Sequence, residues 1–204
     1  MEIKNTIKAT ASILMIWRTF MGIPMYFTNR QKINADMERC IQSTPFKKCG
    51  ILSLNYLLLY NKPFRSVFYY RTCNNNRFFR LLAWLLPRKL SSIELHGDLD
   101  GGILIFHNMG CVVHPVRAGK NLTVAQGVTV GAGRPNAEGL CSPILGDNVW
   151  ICTNAVVFGG IRIGNNVKIG AGTVLNRSVP DNCTVVGNPA RIVKRDGVPC
   201  DEKL

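Results

Sequence analysis

Leu145-Gly-Asp-Asn-Val-Trp150, Ile151-Cys-Thr-Asn-Ala-Val156, Val157-Phe-Gly-Gly-Ile-Arg162, Ile163-Gly-Asn-Asn-Val-Lys168, Ile169-Gly-Ala-Gly-Thr-Val174 and Leu175-Asn-Arg-Ser-Val-Pro180 are six consecutive six-residue units. The first position is aliphatic throughout: Leu145, Ile151, Val157, Ile163, Ile169 and Leu175. The fifth is small or β-branched: Val149, Ala155, Ile161, Val167, Thr173 and Val179. The fourth holds Asn148, Asn154, Gly160, Asn166, Gly172 and Ser178, a column that reads as tight corners because Gly and Asn tolerate a left-handed backbone. A helix would repeat its apolar positions every 3.6 residues and a lone strand every 2.0, so a period of six fits neither. It predicts a parallel β-solenoid in which each unit is one short strand and a corner.

Working outward, Val124-Ala-Gln-Gly-Val-Thr129 and Val130-Gly131 keep the phase. An excursion over residues 132–144, rich in Gly, Pro, Asn and Ser, then leaves the coil and rejoins it at Leu145. Val186-Gly-Asn-Pro-Ala-Arg-Ile-Val193 closes the run. Together these motifs resemble the hexapeptide-repeat acyltransferases over residues 93–193. The resemblance implies a left-handed parallel β-helix with three strands per coil, preceded here by a helical segment.

Within that group, Gly102-Ile-Leu-Ile-Phe-His107-Asn-Met-Gly110-Cys-Val-Val113 and Gly119-Lys-Asn-Leu-Thr-Val-Ala-Gln126-Gly-Val-Thr-Val-Gly131 are similar to segments of serine O-acetyltransferases and their relatives in polysaccharide gene clusters. The step from Val113 to Ala118 is five residues where six is the rule. By this resemblance His107 is the catalytic histidine. A neutral imidazole suits removal of a hydroxyl proton near pH 7. Such a base works best with a carboxylate on its other nitrogen. Glu94 lies closest to the position where the family carries one, at a shorter spacing, with Asp98 and Asp100 also available. His96 and His114, outside any motif, are expected to be structural. A metal-dependent hydratase on the same fold would need three imidazoles brought together, and the spacing of the three histidines does not resemble that pattern, so no metal is expected.

The resemblance further implies acetyl-CoA as co-substrate, lying along a groove of small residues at Gly131, Thr153, Gly160 and Ala171. Arg191, Lys194 and Arg195 are expected at its phosphates. The serine enzymes carry a histidine before a proline at the end of the excursion; here the place reads Leu140-Cys-Ser142-Pro143. That departure favours a sugar or glycan hydroxyl as acceptor, in surface-polysaccharide synthesis. Serine O-acetylation for cysteine synthesis is the alternative, and a non-catalytic scaffold the reading outside enzymology.

The charge is uneven. Residues 1–92 hold 15 Lys or Arg against 3 Asp or Glu, whereas residues 93–204 hold 10 against 9. The division expected is a basic α-helical segment over 1–92, a β-helix over 93–193 and a tail over 194–204. Helices are expected around 36–39, over 52–60, 63–71 and 77–89. No nucleic-acid motif accompanies the positive charge, so nucleic acid is not an expected partner. Peripheral contact of residues 1–92 with anionic membrane is the competing use of that charge. Ile13-Leu-Met-Ile-Trp17 is too short for a span, and no small-x-small cleavage site follows it. Eight cysteines without a C-x-x-C pair read as reduced thiols, which places the chain in the cytoplasm, at most peripheral at the inner face of the membrane. A homotrimer follows from the resemblance.

Overall fold

A computed structural model describes residues 2–74, 76–107 and 109–204; Asn108 of the histidine motif lies outside the described residues, as do Met1 and Asn75. The chain forms two compact units, residues 1–91 and 92–204.

The first unit is helical: α1 (Glu2–Leu14), α2 (Gly22–Thr28), α3 (Arg30–Cys40), α4 (Ile51–Tyr60), α5 (Lys62–Cys73) and α6 (Arg77–Leu82). Asn side chains start the last two: Asn61 Oδ1 accepts from Phe64 N at 2.9 Å and Asn76 Oδ1 from Phe79 N at 3.1 Å, satisfying amides the helix cannot. Met25, Ile33, Met37, Leu54, Leu57 and Phe68 are fully buried. The helix expected over residues 77–89 is shorter. It passes through a 3-10 turn at Ala83–Leu85 and is extended by Leu86, because Pro87 disfavours a helical residue before it. Among the described residues no helix is long and apolar enough to cross a membrane.

The second unit is a parallel β-helix of five coils. The first coil is β1 (Ile93–Leu95), β2 (Asp98–Leu99) and β3 (Leu104–Ile105); the second is β4 (Cys111–Val113), β5 (Arg117–Ala118) and β6 (Thr123–Val124). The third is β7 (Thr129–Gly131), β8 (Ile144–Leu145) and β9 (Trp150–Ile151); the fourth is β10 (Val156–Phe158), β11 (Arg162–Ile163) and β12 (Lys168–Ile169). The fifth comprises β13 (Val174–Leu175), a bridge at Val179 and β14 (Cys183–Val186). Each strand pairs with its counterpart one coil on, giving three sheets, one per face.

Register turns the aliphatic column into a core. Leu95, Val113, Val130, Val157 and Leu175 stack on the first face, and Leu99, Ala118, Leu145 and Ile163 on the second. Ile105, Val124, Ile151, Ile169 and Val185 stack on the third. Every one of these side chains is at most 8% exposed. Each large one contributes about 1.5–3 kcal/mol relative to exposure. The short step at Val113–Ala118 is present, and a shorter one, Leu95 to Leu99, precedes it.

The fourth-position corners hold in part. Asn148, Asn154, Asn166 and Gly172 have φ between 56° and 66°, but Gly160 and Ser178 do not; Gly159, at φ 90°, takes the left-handed turn instead of Gly160. The excursion explains the shift. Asn136 Nδ2 donates to Gly160 O at 2.9 Å, and a Cβ on Gly160 would meet Leu140 O at 1.9 Å. Within residues 194–204, expected as a tail, lie the end of β15 (Arg191–Arg195) and all of β16 (Val198–Lys203). β15 adds antiparallel to β14 and β16 to β15, which closes the third sheet.

Candidate active site

His107 follows β3 at the corner leading into the next coil, with φ 68°, in the left-handed region that a side chain enters at a cost of roughly 1–3 kcal/mol. The corner is held tightly by backbone: Gly127 N donates to Gly110 O at 2.7 Å, and a Cβ on Gly110 would come within 2.9 Å of Ser92 O. The glycine of the histidine motif is therefore needed for close approach of the coils.

The imidazole is exposed and lines a cleft of about 270 Å³ on the third face. Ala125, Gln126, Cys152 and Thr153 line it from the next two coils, and Phe106 and Trp150 are its aromatic residues. The Phe106 and Trp150 rings are near-parallel, with centroids 6.3 Å apart and an angle of 29°. Lys168 Nζ sits 4.6 Å from the Trp150 ring centroid, a cation–π contact. Gln126 Oε1 is buried there without a hydrogen-bond partner among the described residues.

The structure brings some of the expected site residues together and separates others. Thr153 shares the cleft with His107, and Thr153 O accepts from Gly172 N at 2.9 Å, which places Ala171 on the same column of corners. Gly131 ends β7 on the first face, opposite Phe158. Gly160 offers no open groove, because the excursion fills the space above its Cα. Arg191 is ion-paired with Asp201, and Arg195 holds Glu202 through two hydrogen bonds at 3.1 and 2.5 Å. The hydrogen bond to Glu202 raises the Arg195 pKa, and the same bond lowers that of Glu202. Two of the three cations expected at the CoA phosphates are thus already matched to carboxylates, while Lys194 is exposed.

Glu94 lies mid-strand in β1, exposed and opposite Val112, and among the described residues no hydrogen bond or ion pair joins it to His107. Asp98 is on β2 opposite Arg117, and Asp100 Oδ1 accepts from Gly101 N at 2.7 Å. His96 and His114 pair at another corner with ring centroids 4.9 Å apart, away from the cleft lining. Phe106, Gln126 and Trp150 were not anticipated. The available signal was Trp150 itself, a large aromatic at the outward sixth position of its unit.

The repeat matches the model of the bacterial transferase hexapeptide (six repeats) over residues 142–177. A serine acetyltransferase of Synechococcus elongatus is 44% identical over 125 residues, which is 60% of this chain and 50% of that protein. Among solved structures, serine acetyltransferase of Neisseria gonorrhoeae superposes with a TM-score of 0.61 at 28% identity, over 87% of this chain and 70% of that one. The same enzyme in complex with serine gives a TM-score of 0.55 at 29% identity, over 81% and 69%. The chain spans about half the length of the curated relatives it matches. In repeat, sequence and fold, its coil is a hexapeptide β-helix similar to those of serine acetyltransferases.

Proposed function

We propose that this protein is an acetyl-CoA-dependent O-acetyltransferase in which His107 is the general base. The observation that carries this reading is the exposed imidazole, held in a left-handed conformation at an open corner of a hexapeptide coil and lining a cleft. The acceptor oxygen attacks the carbonyl carbon of the thioester as its proton passes to His107. The C–O bond forms, the C–S bond breaks, and the proton goes on to the departing CoA thiolate. Acetyl-CoA runs along the corner column of Thr153 and Ala171, with Lys194, exposed and not tied to a carboxylate among the described residues, at its phosphates.

Turnover is read as thiol released from acetyl-CoA. His107→Asn, which keeps a residue tolerant of positive φ, is expected to lower kcat about 10²–10⁴-fold while the thermal shift on acetyl-CoA persists. Undiminished turnover would sink the base assignment, and loss of any acetyl-CoA shift in the wild type would favour a scaffold.

Of the two acceptors expected from the sequence, the names of the relatives support L-serine in cysteine synthesis and give no support to surface-polysaccharide synthesis. A sugar hydroxyl stays as the second reading on one observation, Ser142-Pro143 at the return of the excursion. Glu94 as the carboxylate of the base, and a homotrimer, belong to the same proposal. Sedimentation velocity tests the trimer.

Residues 1–92 are proposed to touch anionic membrane from the cytoplasmic side. The support is Phe78, Leu81 and Trp84, 63, 71 and 90% exposed, between Arg77, Arg80, Arg88 and Lys89. Failure to co-float with anionic vesicles at low salt removes this reading.

A further inference from the structure

The cleft beside His107 has a chemical character of its own. Its lining comprises two aromatic rings, a small floor at Ala125, the Thr153 hydroxyl, the Cys152 thiol and the Gln126 amide. Among the described residues no Lys, Arg, Asp or Glu side chain lines it. Lys168 Nζ faces the Trp150 ring. Burying an ammonium and a carboxylate beside such a surface without counter-charges is costly, whereas a neutral polyol loses little once its hydroxyls find partners. Phe106 and Trp150 are 39 and 42% exposed, so both retain apolar surface for a ligand. Gln126 Oε1 is a buried acceptor awaiting a donor. Aromatic surface with a few convergent polar groups is the pattern of a small-molecule site.

We infer that the acceptor is a neutral sugar ring, packed by its apolar face on Trp150 and Phe106, with one hydroxyl donating to Gln126 Oε1 and the reacting hydroxyl presented to His107. This rests on the acyl-transfer reading of His107. Trp150 and Phe106 set which ring is accepted, and Gln126 sets its orientation.

The test uses the full chain, acetyl-CoA, a panel of methyl pyranosides and L-serine. A pyranoside is expected to be turned over with kcat/KM about tenfold or more above that for L-serine. Trp150→Ala is expected to raise the pyranoside KM about tenfold with a smaller change in kcat, and Trp150→Phe to restore most of it. The KM for acetyl-CoA reports whether Trp150→Ala damaged the donor side instead. Pyranoside binding is also read without turnover, by saturation-transfer NMR on His107→Asn and on the double variant with Trp150→Ala. Binding lost only in the double variant supports the inference. Efficient turnover of L-serine with no pyranoside accepted or bound overturns it and leaves acetyl transfer standing. An acceptor KM indifferent to Trp150→Ala overturns it as well. Undiminished turnover in His107→Asn removes instead the base assignment on which the inference rests, whatever the acceptor.

Discussion

Arg71 grips Asp36 inside the helical unit, with Nε and Nη2 reaching Oδ2 and Oδ1 at 3.0 and 3.1 Å and the two side chains 3 and 1% exposed. The pair ties α5 to α3. Removing one partner leaves a buried charge without its counter-ion. Asp36→Ala should therefore destabilise this unit by about 3–5 kcal/mol, far above the effect of a surface pair. The double variant Asp36→Leu with Arg71→Met should recover most of that loss, because the desolvation cost goes with the charges. Urea unfolding followed by far-UV circular dichroism measures both.

The corners of the β-helix are stitched by a ladder of amides. Asn121 donates to Asn148 at 2.9 Å, Asn148 to Asn166 at 3.0 Å, Asn166 to Asn182 at 2.9 Å and Asn182 to Asp196 at 2.9 Å. All five residues have positive φ. Asn166→Ala removes two rungs and forces an alanine into the left-handed region, for a loss of about 1–2 kcal/mol. Asn166→Gly loses the rungs but not the backbone fit, so it should cost less. Equal losses for glycine and alanine would show that the rungs, which both variants lose, outweigh the φ.

The aliphatic column was legible because a period of six places every first residue inward, and one strand after another obeys it from Leu145 to Leu175. Corner positions were legible only where nothing crossed them. At Gly160 the excursion returns against the coil, and the turn moves to Gly159. The strands at the end of the chain leave no trace in the repeat, because an antiparallel pair such as β15 and β16 carries no hexad signature. The catalytic candidate was visible through its motif, but the cleft around it was not. Phe106, Gln126 and Trp150 belong to three different coils, and only the register of β3, β6 and β9 brings them to one face.

Gly160 has no room for a side chain, since a Cβ would lie 1.9 Å from Leu140 O and 3.0 Å from Asn136 Cγ. Gly160→Ala should push the excursion off the coil rather than unfold it, because the contact is with a loop. Faster cleavage within residues 132–144 under limited proteolysis, with the β-sheet circular dichroism retained, is the expected result. Unchanged cleavage would mean that the loop is not anchored through Asn136.

The cysteines should divide sharply by reactivity. Burial pushes the Cys111 thiol up to about 11 and the Cys40 thiol up to about 12, while Cys141 is exposed in the excursion. At pH 8 a thiol with a pKa near 11 is roughly one part in a thousand thiolate, and access lowers its rate further. An aromatic disulfide reagent should therefore modify Cys141 early and Cys111 and Cys40 only on unfolding. Cys141→Ser should remove a fast phase; rapid labelling of Cys111 in the folded protein would contradict its place in β4.

Acid should weaken one corner of the coil in a defined direction. Asp181 Oδ1 accepts from Asn165 N at 2.8 Å and its Oδ2 from Asn165 Nδ2 at 3.1 Å, which lowers its pKa below the ordinary 3.8. A carboxylate with a depressed folded-state pKa contributes stability that is fully present above the unfolded value and disappears as pH falls through the folded one. Asp181→Asn keeps an acceptor but no charge, so its Tm should lie below wild type at pH 7. The gap should narrow only once the pH drops below about 4. The group is solvent-exposed, so the gap is expected to be small and to shrink in high salt. A Tm difference that stays constant from pH 7 to pH 2 would mean that the variant acts through packing at the corner, and that the charge on Asp181 contributes nothing.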